Sequence, residues 1–372
     1  MTVTFFINYL NHHQLPVADE MYRLLGDNFR FVATYPRSVS ELKGGEDYSG
    51  RPYCLLPAEN TEHEKLAHRL NLTSDVCIYG AGNLGWEAER AATGRLSFEI
   101  SERWFKRGVI NLLSPRLMEW WWLYQTKLRN KPFYKLCASA FTASDCRRLR
   151  TFKNRCFKWG YFTMLPVFSQ SKPINRIPQI MWCGRLIGLK HPEHAIETAR
   201  RLKKQGCRFV LNIYGDGQLR YDIQQTISKL SLDDCVRLKG NVPNSQILSA
   251  MRESDIFIFT SDRQEGWGAV VNEAMSAGCC VIGSDAIGSV PYLIADRTNG
   301  LIYRNGNLDS LYSKVKYALE NMDKVRAMGQ IAARDMSEIW SPRNAANSLM
   351  QLIDYLNGGE SLLPPSGPCS KA

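Results

Sequence analysis

Residues 256–275, IFIFTSDRQEGWGAVVNEAM, decide how the chain folds. The run opens on IFIFT, an apolar stretch that reads as a strand, and passes through a glycine-punctuated turn into a helical pattern. Gly266 and Gly268 leave backbone N–H groups bare where that helix begins, which is a natural cradle for an anion. Glu265 and Glu273 stand eight residues apart. On a continuous helix, at about 1.5 Å per residue, their separation is roughly 12 Å. That distance fits a hexose, a diphosphate and a ribose in line, with one carboxylate accepting bonds from vicinal hydroxyls at each end.

The same kind of transition is found throughout. Short β-branched or aromatic runs alternate with longer amphipathic ones, the pattern of doubly wound parallel sheets joined by crossover helices, so the fold class is α/β. Strands are expected at 3–8, 29–34, 76–79, 96–100 and 139–142, and again at 180–183, 209–214, 236–238, 256–260, 280–282 and 301–303. At about 150 residues per domain, a chain of 372 predicts two domains. Three prolines in 165–179 mark a linker, which divides the chain into 1–164 and 180–343, followed by a helix at 344–357 and a flexible tail at 358–372.

Two further strand ends in the second half carry unusual groups. In 183–190, CGRLIGLK, a strand stops at Gly184, and Arg185 and Lys190 follow five residues apart. Such a pair can grip a diphosphate from two sides, arginine as a fork and lysine as a mobile point charge. Gly215 and Gly217 bracket Asp216 in a turn that lets backbone approach a ligand closely. Either glutamate alone would read as a helix cap or a solvated side chain; with the two cations they read as a nucleotide-sugar site.

On these residues the second half, 179–357, resembles the donor domain of the retaining GT-B glycosyltransferases of family 4, which have Gly-Arg-Leu followed by lysine, the glycine turn, and Glu-x7-Glu at 265 and 273. The resemblance implies a GT-B fold, two Rossmann-like domains facing across a cleft, with the closing helix crossing back to the first. It implies that Arg185 and Lys190 hold the donor diphosphate, Glu265 the transferred sugar and Glu273 the ribose. Gly184, Gly215, Gly217, Gly266, Trp267 and Gly268 would line the donor. A UDP or GDP sugar is then the substrate, with no cofactor and no metal, in keeping with the lack of an Asp-x-Asp triplet. Three positions depart from the family's pattern. His191 stands for a glycine, Trp267 for a phenylalanine and Tyr292 for a frequent glutamate, changes expected to alter donor preference.

The first half resembles the family less, as a domain for a variable acceptor would. Asn11, His12, His13 and Gln14 follow the first strand and are candidates for acceptor hydroxyls; Glu102 and Arg103 follow another strand end and are a second candidate, or an ordinary ion pair. Lysine and arginine exceed aspartate and glutamate by 47 − 36 = 11, and residues 103–158 alone hold fourteen basic and two acidic side chains. Trp104, Phe105, Trp120, Trp121, Trp122, Tyr124, Phe133 and Tyr134 lie among those cations. The mixture suits an anionic membrane surface, and equally a helix packed on the core with solvated cations around it. No nucleic-acid-binding module is legible.

No stretch has the roughly 18 apolar residues of a membrane span, and MTVTFFINYLNHH lacks the features of a secretion signal. A cytoplasmic location is expected, with peripheral contact at the inner face of the cell membrane. Eleven cysteines without a C-x-x-C pair read as reduced structural thiols. The expected reaction is sugar transfer to a glycan or polyprenyl-linked acceptor in bacterial surface polysaccharide synthesis. Two alternatives remain open. Gly80, Gly82 and Gly85 with Glu99 fit a dinucleotide fingerprint, and so an NAD-dependent oxidoreductase. The chain could also be a non-catalytic membrane-associated scaffold that keeps an enzyme fold.

Overall fold

The computed structural model describes residues 1–10, 13–35, 50–80, 82–164 and 172–372. It divides into two compact units, Met1–Met164 with Pro342–Ala372, and Leu165–Ser341. Asn11, His12 and 165–171 of the expected linker lie outside the described residues.

The first unit is built on seven parallel strands: β1 (Val3–Ile7), β2 (Phe29–Ala33), β3 (Cys54–Leu55), β4 (Val76–Tyr79), β5 (Ser97–Ser101), β6 (Phe133–Cys137) and β7 (Cys156–Lys158). Their order is β3-β2-β1-β4-β5-β6-β7, so the direction of winding reverses between β1 and β4. Phe6, Tyr79 and Phe133 are fully buried on the sheet and pack with Trp120 of the helix Pro115–Leu123. The helix Pro342–Leu356 lies against the helix Leu15–Leu25 of the same unit.

The second unit has six parallel strands: β8 (Gln179–Cys183), β9 (Val210–Tyr214), β10 (Val236–Gly240), β11 (Ile256–Phe259), β12 (Cys280–Ser284) and β13 (Gly300–Tyr303). The order β10-β9-β8-β11-β12-β13 puts its switch point between β8 and β11, which pair through Ile180 with Ile256 and Met181 with Phe257. Ligands of open α/β sheets bind outside the carboxyl ends of strands at such a point. β11, read as a continuous apolar run, is buried at all four positions, as a strand covered on both faces must be.

Two expectations are corrected, the strand at 139–142 and the flexible tail, and two short edge strands are added. The strand expected at 139–142 is instead Phe133–Cys137, and Thr142 opens the helix Thr142–Arg148. Lys135 in the middle of β6 hid it: the lysine is fully buried, its charge met by Glu99 on the neighbouring β5. β3 and β7 are two- and three-residue edge strands, too short to leave a pattern. The residues expected as a flexible tail end against β7, where Cys369 N–H donates to the Lys158 carbonyl at 2.7 Å and Lys158 N–H to that of Ser370 at 2.7 Å. In the described part of the expected linker, the Lys172 ammonium donates to the carbonyls of Ala277 and Met251 at 3.2 and 3.3 Å.

Candidate functional site

The loops that leave β8 and β11 are stitched together at the switch point of the second sheet. Trp182, buried at the end of β8, donates its indole N–H to the Thr260 hydroxyl at 2.8 Å, and that hydroxyl donates onward to the Lys190 carbonyl at 2.6 Å. Asp262 N–H donates to the Leu189 carbonyl at 3.0 Å. His191 adopts a left-handed conformation, φ 46°, where glycine is the easier residue. Its ring holds the Asp262 carboxylate through Nε2 at 3.3 Å and Glu193 through Nδ1 at 2.8 Å. The Glu193 contact foremost, with help from Asp262, lifts the His191 pKa above its ordinary value and so favours the imidazolium.

This scaffold presents Lys190. Its ammonium forms an ion pair with Glu265, both side chains mostly buried, and lies 5.1 Å from the centre of the Phe259 ring. Two of the four expected charges are thus joined directly. Glu273, on the helix Val270–Ser276, is largely buried, and desolvation alone pushes its pKa up to about 7. The nearby Cys183 thiol, raised to about 12 by burial, feels Glu273 and Lys190 with opposite sign, which places the three side chains in one neighbourhood. Arg185 is exposed and, among the described residues, has no carboxylate partner. The structure therefore brings Lys190, Glu265 and Glu273 to one place and leaves Arg185 at the solvent edge.

Several expected roles change. Glu265 is not on the helix: helical structure starts at Val270, and the roughly 12 Å separation drawn from a continuous helix does not apply. Trp267 is fully buried, donates its indole N–H to the Asn272 side chain at 2.9 Å, and packs with Tyr292 and Trp340 at ring separations of 6.2 and 6.0 Å. Its side chain holds the turn from beneath. Gly266 is buried in the same turn. Gly268, φ 86°, lies against Phe259, whose Cε1 would be 2.6 Å from an added Cβ. Gly215 and Gly217 serve loop packing too, because a Cβ would come within 1.9 Å of the Gly184 oxygen and 2.6 Å of the Leu186 oxygen. Gly184 N–H and Leu186 N–H donate to the carbonyls of Tyr214 and Asp216, so the 214–217 turn braces the Lys190 loop. Trp182, Cys183, Thr260 and Asp262 went unread because their roles depend on which strands become neighbours.

In the first unit, His13 stacks on Tyr161 with ring centres 5.1 Å apart, and the Tyr161 hydroxyl donates to Glu102 at 2.7 Å, so these two candidates share one cluster. Gln14 precedes the first helix and donates to the Gly160 carbonyl at 3.4 Å. Glu102 and Arg103 do not pair. Glu102 binds Lys106, whereas Arg103 is buried over the Phe141 ring at 4.4 Å. At the dinucleotide-like turn, Tyr35 covers the backbone, its hydroxyl donating to the Gly82 carbonyl at 3.2 Å, and Asn83 donates across the turn to the Gly80 carbonyl at 2.9 Å. A pyrophosphate would have to displace that tyrosine. Ala81 lies outside the described residues.

His191, Glu193 and His194 hold three ligand atoms within 4.8 Å of one another, as a cation site requires. Both ring nitrogens of His191 are already engaged by carboxylates, however. Among the described residues no helix is long and apolar enough to cross a membrane.

Residues 168–335 match the family described as "Glycosyl transferases group 1". The chain is 33% identical over 138 residues to an amylovoran biosynthesis glycosyltransferase, AmsK, of Erwinia amylovora, covering 36% of this chain and 34% of that one. It is 29% identical over 183 residues to a 2-deoxystreptamine glucosyltransferase of Streptomyces kanamyceticus, covering 49% and 47%. The chain thus spans between a third and a half of the length of these curated relatives. Among solved structures, Anabaena Alr3699/HepE in complex with UDP superposes with a TM-score of 0.70 at 13% identity, over 95% of this chain and 100% of that one. The fold is GT-B, with two Rossmann-like α/β units, and the similarity to group 1 glycosyl transferases lies within 168–335.

Proposed function

We propose that the protein is a metal-independent, retaining glycosyltransferase of family 4 that transfers a hexose from a nucleotide diphosphate sugar. The observation that carries this reading is the Lys190–Glu265 ion pair, held at the switch point of the second sheet and inside the matched residues 168–335. As the anomeric bond breaks, negative charge grows on the leaving diphosphate. A preorganised ammonium meets it without reorganisation. Lys190 supplies that charge, and Arg185, free at the solvent edge, closes on the phosphates. Once Lys190 turns to phosphate, the Glu265 carboxylate is released to accept bonds from the hexose hydroxyls. Glu273 receives the ribose.

In front-face substitution the acceptor oxygen bonds to the anomeric carbon while the bond to the phosphate oxygen breaks. That oxygen takes the acceptor's proton, so atoms balance without a protein base. The two cations replace the charge a divalent ion would supply, and activity is expected to survive a chelator. UDP is favoured over GDP as the carrier by the likeness to an Anabaena protein bound to UDP.

A glycan or polyprenyl-linked acceptor in bacterial polysaccharide synthesis is proposed from the likeness to the amylovoran biosynthesis enzyme. Contact with an anionic membrane surface, at its cytoplasmic face, is supported by the apolar side chains exposed at 108–122. Val109, Ile110, Leu113 and Trp122 are among them. Of the eight aromatic residues expected there, Trp121 and Trp122 are exposed and the others are buried or partly buried.

Ligand-observed NMR with UDP-glucose, UDP-N-acetylglucosamine and GDP-mannose tests the donor assignment. Saturation transfer to at least one of them, lost in Lys190→Ala, is expected; binding of none overturns the reading. The anomeric configuration of the product, read from its proton coupling, separates retention from inversion.

A further inference from the structure

The pair on which the proposed function rests, Lys190 with Glu265, is assembled from two loops. Lys190 closes the short helix Gly188–Lys190 after β8, and Glu265 ends a turn that follows β11. Their meeting depends on how these loops are registered. Two ties hold the Lys190 side by its backbone, from Asp262 N–H to the Leu189 carbonyl and from the Thr260 hydroxyl to the Lys190 carbonyl. His191, next in the chain, supplies a third through its side chain.

The ring of His191 spans two carboxylates. Nδ1 is 2.8 Å from Glu193, at the second position of the helix Pro192–Lys204, and Nε2 is 3.3 Å from Asp262. Asp262 in turn organises the turn that ends on Glu265. Its carboxylate accepts from the Gln264 N–H at 2.8 Å and from the Gln264 side chain at 3.3 Å, and its carbonyl accepts from the Glu265 N–H at 3.1 Å. A neutral imidazole has one N–H, so only the imidazolium donates to both carboxylates at once. The raised His191 pKa agrees. His194 stacks on it with ring centres 4.7 Å apart, and burial first, the His191 charge second, lower the His194 pKa, so the second ring stays neutral beside the first.

The backbone gives no reason for a histidine here. At φ 46° and ψ 54° it is left-handed, a conformation that glycine adopts readily and a residue with a Cβ does not. What residue 191 contributes is therefore its ring. Removing the ring would leave the Asp262 and Glu193 carboxylates without the cation between them. All three side chains are partly exposed, and exposed ion pairs add little to stability. The bridge thus governs where the turn sits more than whether the chain folds.

We propose that His191 is a positioning residue of the donor site: bonded to Asp262 and Glu193 together, it fixes the turn that carries Glu265 against the loop that presents Lys190 to the diphosphate. It touches no reacting atom and acts through Asp262. Its effect on nucleotide binding rests on the function proposed above; the bridge between the loops does not.

The test compares the full chain with its His191→Gly, His191→Gln and His191→Arg variants. Glycine suits the backbone and deletes the bridge, glutamine fills space without a charge, and arginine restores a cation with several donors. UDP binding is followed by calorimetry, and hydrogen exchange of the Gln264 and Glu265 amides reports on the turn without nucleotide. UDP affinity is expected to be at least fivefold weaker in His191→Gly and His191→Gln, and within twofold of the parent in His191→Arg. The two amides should exchange at least fivefold faster in the first two variants and at the parent rate in the third, with the urea midpoint little changed throughout. Where the parent binds UDP, exchange or affinity unmoved in His191→Gly overturns the proposal, as do equal results for His191→Gln and His191→Arg. A large fall in midpoint in both neutral variants would show a general structural role and overturn it as well. Should UDP bind to none of the four chains while the amides follow the expected order, the bridge stands and the transferase reading falls. UDP binding that is the same in all four, with unchanged exchange, does the reverse.

Discussion

Folding disfavours the ionised form of Glu273. Its pKa, about 7 against an ordinary 4.5, means that the folded protein keeps a proton which the unfolded chain has lost across that window. Stability therefore falls as pH rises from 4.5 to 7 and levels off above it, by about 3 kcal/mol for the full shift. Glutamine in its place does not titrate. Glu273→Gln is accordingly expected to raise the urea midpoint at pH 8, by an amount equivalent to about 1–3 kcal/mol, and to change it little near pH 5. A gain that does not grow with pH would contradict the assigned burial of this carboxylate. The same variant should bind UDP more weakly, because the ionised form is the better acceptor for ribose hydroxyls. Lys190→Ala removes a partly buried cation and strands Glu265, and a loss of at least a hundredfold in turnover, together with weakened UDP binding, is its expected signature.

The turns around Lys190 show what the sequence makes legible and what it does not. β4, β11 and β12 were readable because a strand buried on both faces must be apolar along its length, whereas β10 carries exposed Arg237 and Lys239 and was read from its β-branched and apolar positions. That Lys190 and Glu265 face a common crevice was an expectation from charged groups at two strand ends; their direct ion pair was not read. β6 was not, because a buried lysine interrupts its pattern and its partner, Glu99, lies 36 residues away in sequence. Nor was the role of Gly215, whose need for glycine comes from the approach of a loop that begins at Gly184. That approach is testable. Gly215→Ala places a Cβ against the Gly184 carbonyl at φ 124°, where an L side chain is strained in any case. A destabilisation of about 3 kcal/mol is expected in chemical denaturation. Donor affinity should fall with it, since the displaced loop carries Lys190. Retained stability would mean that the two loops do not meet as described.

For the whole molecule, the decisive asymmetry is one of charge and exposed apolar surface together. The chain carries a net charge of +11, and 103–158 alone sums to 14 − 2 = +12, so the remainder is close to neutral. Within that basic segment Leu113 is 76% exposed and Trp122 60% exposed, side chains that a protein surrounded only by water has little reason to display side by side with cations. Cations alone would give binding that salt abolishes; apolar insertion alone would ignore lipid charge. Both together predict a two-part response. Sedimentation with vesicles of phosphatidylglycerol and phosphatidylcholine should show binding that weakens several-fold between about 0.05 and 0.5 M salt, as the screening length shortens, yet does not vanish. Leu113→Ser combined with Trp122→Ser deletes two exposed apolar side chains, each contributing on the order of 1–2 kcal/mol when buried in lipid, and should weaken binding at least tenfold at every salt concentration. No binding to either kind of vesicle, or no effect of the double substitution, would show that this segment is an ordinary solvated surface, and equal binding to vesicles of phosphatidylcholine alone would remove the part assigned to charge.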